Sequence, residues 1–522
     1  MDLIVKVKLQ KFNWYSQGKI HAAGFAWFGN SYLARESLID ELKKHQDNII
    51  GLKEFLAGLN GQYAILIERN DECWLASSIH WCFPLFYSQQ KTGLQISDDP
   101  ALLVNNNQDD PCEFTANYFT TFGVCPRNRT LDNDIFQIRP GELLQLDAEN
   151  STSIPIHFQS AKQIPQPPTL SNPEEVKNVL LESFSRYSKL IADKQVLLPL
   201  TAGYDSRLLA CLLKEFGHTN VLCATWGRAD NQEKETAAKV AQQLGFDYHF
   251  VNYSEIVQAG FSGEDDFREY IPFAGHTSSM PFLQDYFGIK WLKENQLIDS
   301  STVVMPGHPG DFISGEHLSK MHLFKSPGEL SRHIISRFST SISLTKAQKL
   351  KLSNHITANY TSRPDGQFWK GYEQWDLEER QAKFIGNSTL AFRFFGLEPI
   401  MPLFDQTILR FFERLEPHQR INSQLYNKTL ETLFFRPQKV DFNLKRQKTN
   451  HQLFTSLKNL ALKFTPEFVK QHYYPINDPI CYREMTNELR EMCPDLDFSK
   501  PVKPHFYNAF LTQWYLKTLN NR

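Results

Sequence analysis

The residues best suited to chemistry stand in the stretch LLPLTAGYDSRLLACLL, residues 197 to 213. A Gly-containing turn that leads from an apolar strand into a helix presents free backbone N–H groups to an anion. Gly203 lets the backbone come close, and Thr201 and Ser206 add hydroxyl donors. Asp205 is out of place in a bare phosphate cradle, because its carboxylate repels the anion unless a cation sits between them. A carboxylate beside phosphate points to Mg2+, which takes oxygen ligands from both. The same residues also suit an ordinary strand-to-helix turn capped by Ser or Asp, so the stretch alone leaves both readings open. No GxxxxGK[ST] run occurs, which excludes the usual nucleoside-triphosphate loop.

Elements on both sides must position that turn. Val196–Leu200 is a short apolar run of buried-strand type, and Leu208, Leu209, Leu212 and Leu213 repeat at helical spacing. A helix over EEVKNVLLESFSRYSKLI precedes this strand; NVLCATW, EKETAAKVAQQLG and DYHFVNY follow as strand, helix and strand. Such β-α-β-α-β order with short connections predicts a doubly wound parallel sheet. Upstream, YAILIER, CWLASSI and ELLQLD are short runs between Gly, Asn and Asp turns, which predicts a layered β-rich domain over residues 1–160. The Pro-rich polar segment within 161–175 reads as a linker, leaving 176–522 as a second, α/β domain whose part after about residue 330 is helical and aromatic-rich.

Composition narrows the function. The 522 residues are 41% hydrophobic and 22% charged, ordinary values for a globular chain. A net charge of −2 gives no footprint for nucleic acid or an anionic membrane. Eight scattered cysteines without CxxC pairs suit a reducing, cytoplasmic setting. The opening MDLIVKVKLQKF alternates like a strand, so no signal peptide is expected there. No stretch approaches the roughly 18 apolar residues of a spanning helix.

Against that background TAGYDS resembles the SGGxDS pyrophosphate loop of the ATP-pyrophosphatase superfamily, with Thr201 and Ala202 as departures. GLNGQYAILIERNDECWLASSIHWCFPLFYS (58–88) and IRPGELLQLD (138–147) resemble the glutaminase domain, of Ntn-hydrolase type, of asparagine synthetases. VVMPGHPGDFISGE (303–316) takes the place of the family's Ser-Gly-Glu-Gly-x-Asp-Glu segment, keeping Gly307 and Asp311 but carrying His308, Pro309 and Phe312 instead of Glu, Gly and the final Glu. FGLEPIMPLFDQTILRFFERL (395–415) and LKRQKTNHQLF (444–454) resemble two later segments, with Lys448 at the lysine of the family's Arg-x-Lys. By these motifs the chain is identified as a member of the asparagine synthetase-like proteins.

The resemblance implies an ATP-dependent amide-forming ligase. A substrate carboxylate attacks the α-phosphorus of ATP, pyrophosphate leaves, and an amine or ammonia displaces AMP from the acyl-adenylate. It implies Lys448 and His308 as catalytic positions. Leu200, Thr201, Gly203, Tyr204, Asp205, Ser206, Trp226 and Gly307 are implied around ATP and its pyrophosphate, with Asp205 and Asp311 on Mg2+. Trp226 suits an adenine contact or a core position, and Glu233 an acidic site position or a favourable first-turn charge. Glutamine-hydrolysing members carry Cys directly after the initiator Met, where the free amine activates the thiol. Here that residue is Asp2 and the first cysteine is Cys73, so residues 1–158 are expected to be a structural remnant. The amine then comes from the substrate, free ammonia or a separate glutaminase, and the acceptor is a small-molecule or peptide carboxylate, a sugar uronate included. Two other readings stay open: an RNA-modifying ligase, which the neutral charge disfavours, and a non-catalytic synthetase homologue that binds nucleotide or a partner.

Overall fold

The computed structural model describes residues 5–70, 72–90, 93–103, 110–147, 149–156, 169–318, 324–340, 344–361, 368–442, 478–493 and 506–520. Lys448 and residues 161–168 of the expected linker lie outside them.

The N-terminal region is β-rich and layered, as its alternating runs predict. Its strands are β1 (Val5–Lys8), β2 (Trp14–Gln17), β3 (Ile20–Phe28), β4 (Ser31–Ala34), β5 (Leu59–Glu68), β6 (Cys73–Ser77), β7 (Phe86–Gln90), β8 (Gly93–Ser97), β9 (Phe136–Gln137), β10 (Glu142–Leu146) and β11 (Ser151–Pro155). They form one sheet in the order β1-β8-β7-β9 and a second in the order β11-β10-β6-β5-β3-β2, with β4 beside β3. The period of two sorts β5 into two faces. Leu59, Tyr63, Ile65 and Ile67 pack under the helices Glu36–Lys43 and Ile49–Gly58, against Leu38, Leu42 and Phe55. Asn60, Gln62, Ala64 and Leu66 face the other way.

That second face meets the rest of the chain. Gln62 is fully buried: its amide donates to the carbonyl of Pro399 at 3.0 Å and its Oε1 accepts from the N–H of Met401 at 2.9 Å. Asn60 donates to Asp405 and accepts from the N–H of Gln406, both at 3.0 Å. Trp27 of β3 packs edge-on against Tyr187, with ring centroids 4.9 Å apart, and one hydrophobic core runs through both regions. The helix Pro173–Leu190, capped by Asn172, starts inside the expected linker, since Pro at its first turn suits a helix start.

The second region is a parallel sheet of β12 (Val196–Pro199), β13 (Val221–Gly227), β14 (Asp247–Asn252), β15 (Val303–Val304) and β16 (Glu398–Pro399), in the order β14-β13-β12-β15-β16. Helices Tyr204–Glu215 and Glu233–Leu244 make the crossovers from β12 to β13 and β14. The chain then returns past β12 to lay β15 on its other side. The order therefore reverses between β12 and β15, and a crevice opens outside the strand ends there. Most of the remainder is helical, as expected. Among the described residues no helix is long and apolar enough to cross a membrane.

Gln62 gives a stability test. Gln62→Leu keeps the volume but leaves the Pro399 carbonyl and Met401 N–H unpaired, at about 1–3 kcal/mol per group. The expected outcome is a lower Tm for the full chain by calorimetry; an unchanged Tm would refute this role for Gln62.

Candidate active site

A cleft of about 1250 Å³ lies at the reversal point. Its floor is the turn after β12. Leu200 continues the strand register by donating its N–H to the Ala224 carbonyl at 2.8 Å, and the chain then breaks away. Thr201 Oγ1 accepts from the Gly203 N–H at 3.1 Å and lies 3.1 Å from Ser206 Oγ, which also accepts from the Thr201 N–H. These bonds pull the loop into a tight cup. Gly203 sits at the N-cap of the helix Tyr204–Glu215 without offering a capping side chain, so the N–H groups of the first turn face the cleft unclaimed by a cap.

All ten described residues implied for the site line this cleft: Leu200, Thr201, Gly203, Tyr204, Asp205 and Ser206 from the first loop, Trp226 from the end of β13, and Gly307, His308 and Asp311 from the loop after β15. The two loops touch through glycine. A Cβ on Gly310 would overlap the Asp205 carboxylate, and one on Gly307 would press on Asp205 Cβ at 3.2 Å and the Ser206 nitrogen at 3.1 Å. Tyr204 lines the cleft, and its hydroxyl donates to Glu431 at 2.6 Å.

Asp205 is the electrostatic focus. Burial, then the neighbouring charge of Asp311, holds its carboxyl well above the usual carboxylate range, and a hydrogen bond from the Tyr426 hydroxyl at 2.9 Å opposes the rise. Glu316 adds further negative charge. Among the described residues no group of three or more His, Cys, Asp or Glu is placed to hold a metal alone. The pair nonetheless fits Mg2+, which keeps few protein carboxylates and completes its shell with phosphate oxygens and water. Asp205 and Asp311 would hold it.

His308 precedes a cis peptide bond to Pro309. Burial is the main cause that lowers its pKa to about 4, so the ring is neutral at pH 7, and it has no hydrogen-bond partner among the described residues. Trp226 is both core and wall. It is 6% exposed, packs against Gly288, and donates its indole N–H to Asp285 at 3.2 Å while an edge borders the cleft. Burial raises the Asp285 carboxyl to about 7. Glu233 also borders the cleft, and its N–H donates to Asn231 at 2.9 Å.

Sequence reasoning missed Tyr426, Asp285 and Arg207. Arg207 is completely buried beneath the loop, donating to the carbonyls of Ala202 at 2.8 Å, Val440 at 3.0 Å and Phe442 at 2.9 Å. It ties the loop after β12 to the segment that leads toward Lys448. The available signal was an Arg inside the apolar stretch SRLLACLL, which nothing local could pair.

A parallel sheet with an anion cup and a carboxylate pair at its reversal point defines a nucleotide-using α/β enzyme. Residues 175–465, more than half of the chain, match the family described as asparagine synthase. The protein belongs to that family, and is thereby an ATP-dependent amide-forming ligase by class. It is similar to the microcin J25-processing protein McjC of Escherichia coli, 21% identical over 404 residues that cover 72% of this chain and 73% of that protein. Among solved structures it matches an NH3-dependent NAD synthetase from Campylobacter jejuni, at 15% identity and a TM-score of 0.21, over 36% of this chain and 74% of that one. It also matches the glutamine phosphoribosylpyrophosphate amidotransferase of B. subtilis, at 14% identity and a TM-score of 0.19, over 57% and 64% respectively.

The raised Asp205 carboxyl predicts a pH signature. Unfolded, it titrates near the ordinary ~3.9, and below that both states are protonated and the group costs nothing. As pH climbs from there toward the folded value, the buried group costs progressively more stability, and above the folded value the cost stays constant. In the nucleotide-free protein Asp205→Asn, which still accepts from Tyr426, is expected to raise Tm above the parent at neutral pH. The gap should close as pH falls toward about 4; a gap that stays constant across the pH scan would refute the assignment.

Proposed function

We propose that this protein activates a substrate carboxylate as its adenylate and transfers the acyl group to an amine, using ATP and Mg2+. The observation that carries the reading is the Asp205–Asp311 pair set over the first turn of the helix Tyr204–Glu215, at the reversal point of the sheet.

The reaction divides among these residues by their chemistry. The N–H groups of the first helical turn and the Thr201 and Ser206 hydroxyls are donors for the β- and γ-phosphates, whose charge grows as the bond to the α-phosphorus breaks. Leu200 and the edge of Trp226 flank the space for adenine. Asp205 and Asp311 would place the dication, which when bound neutralises the departing pyrophosphate. A carboxylate oxygen of the acceptor forms the new bond to the α-phosphorus as pyrophosphate leaves. The amine nitrogen then attacks the acyl carbon, AMP departs with the bonding pair, and the amine gives up a proton. His308 stands at this end as a neutral imidazole with one N–H and one lone pair to offer. By resemblance Lys448 would stabilise the negative charge of both transition states.

The amine source we propose is the substrate, ammonia or a separate glutaminase. Two cysteines of the N-terminal region, Cys73 and Cys82, are buried, and burial pushes each thiol up to about 12, so neither is a ready nucleophile.

Pyrophosphate release from ATP and Mg2+ across a panel of aspartate, uronates and small acidic peptides tests this. Release should depend on the acid, and should fall by at least ~100-fold in Asp205→Ala and in Gly310→Ala, the latter because the new methyl displaces the carboxylate. ATP bound without release for any acid would favour a nucleotide-binding homologue; no ATP binding at all would end the ligase reading.

A further inference from the structure

One polar side chain of the cleft takes no part in the phosphate chemistry. Asp285 borders the cleft beside Trp226 and is only 8% exposed. It stands at the N-cap of the helix Tyr286–Glu294, a position where aspartate ordinarily accepts from N–H groups of the first turn, but its side chain makes no such bond. Oδ1 instead accepts from the Trp226 indole N–H at 3.2 Å. Oδ2 has no hydrogen bond among the described residues and is not sealed from solvent.

Among the described residues no cation forms an ion pair with this carboxylate, and burial is the main influence on its titration. Three neighbouring phenols feel its charge, yet each donates elsewhere: Tyr253 to the Gln284 carbonyl at 2.5 Å, Tyr270 to the Phe282 carbonyl, and Tyr482 to Gln284 Oε1 at 3.3 Å. Apolar groups share this part of the lining. Pro479 abuts the end of β13, where its carbonyl leaves no room for a Cβ on Gly227, and it lines the cleft with Leu200, Trp226 and Ile480. A buried carboxylate with one oxygen left open to such a space is suited to a donor that arrives with a ligand. A phosphate would be repelled, and an ammonium would leave N–H groups unpaired against the apolar lining. A flat base with an exocyclic amino group meets both conditions.

We infer that Asp285 reads the base of the nucleotide: its open Oδ2 accepts an N–H of the 6-amino group of adenine and rejects a 6-oxo purine, whose carbonyl oxygen would face it. The inference rests on the ligase reading for the identity of the ligand, but it concerns binding, which is measured apart from turnover. Asp285 then has two tasks, to hold Trp226 in the wall of the cleft and to present one oxygen to the base. Asp285→Asn separates them. The Asn carbonyl still accepts from Trp226, while its NH2 group takes the place of Oδ2 and donates where the parent accepts.

The probes are ATP, ITP, which carries a 6-oxo group, and purine riboside triphosphate, which carries no 6-substituent. Calorimetry with the full chain and Mg2+ gives binding, and pyrophosphate release in the presence of the acid panel gives turnover. The parent is expected to bind ATP about tenfold more tightly than purine riboside triphosphate, and ITP more weakly than either. In Asp285→Asn the order of ATP and ITP should reverse while purine riboside triphosphate binds as in the parent, which also shows that the variant is folded. A side chain that only positions Trp226 would leave the order unchanged. The comparison within the parent needs no variant to fold: equal affinity for the three triphosphates overturns the inference, as does an Asn variant that keeps the parent's order. The expected order without release for any acid would uphold Asp285 and count against the ligase reading. Acid-dependent release with equal affinity for all three would overturn Asp285 and leave that reading standing; no nucleotide binding at all would overturn both.

Discussion

The structure turns on a carboxylate in a place where it is electrostatically costly. Asp205 sits at the end of the central strand, beside Asp311, with the Gly310 backbone pressed against its oxygens. Among the described residues Tyr426 supplies a single hydrogen bond to it, which offsets only part of the cost of ionising it. In the proposed reaction a dication with phosphate would repay it, because it would convert two repelling charges into two ligands. A carboxylate kept at such cost is a mark of a working site rather than of a packing solution.

Everything around Asp205 serves to hold it there. The loop after β15 needs Gly310 because any side chain there would collide with the Asp205 carboxylate, and a Cβ at Gly307 would crowd the first loop. Tyr426 comes from the helix Gln424–Leu430, remote in sequence, and approaches after the residues Asn422 and Ser423 adopt left-handed backbone conformations. From below, the buried Arg207 joins three carbonyls of two distant segments and, among the described residues, has no carboxylate within ion-pair distance. It also lends positive potential to the underside of the loop after β12.

The N-terminal sheets contribute through packing. The outward-facing positions of β5, Asn60 and Gln62, bond to the segment from Pro399 to Gln406, which includes the strand-end residues of β16. The N-terminal region thus remains part of the core that fixes one edge of the parallel sheet.

The sequence by itself determined whatever depends on neighbours along the chain. Apolar runs and turn residues declared the strands β12, β13 and β14 and their crossover helices; the Thr201–Ser206 turn and the glycines of 307–310 declared the loops, because anion cradles and close backbone approach demand those residue types locally. Lys448 rests on that resemblance alone. Tertiary structure decided what depends on distance: that β15 lands on the far side of β12 and opens the crevice, that Tyr426 comes back across more than two hundred residues to the loop while Arg207 reaches as far from beneath it to Val440, and that Trp226 is wall and core at once. A side chain's partner in space leaves no trace in its local pattern, since Tyr426 within a helix and Arg207 within an apolar run look the same whether or not a site lies beside them.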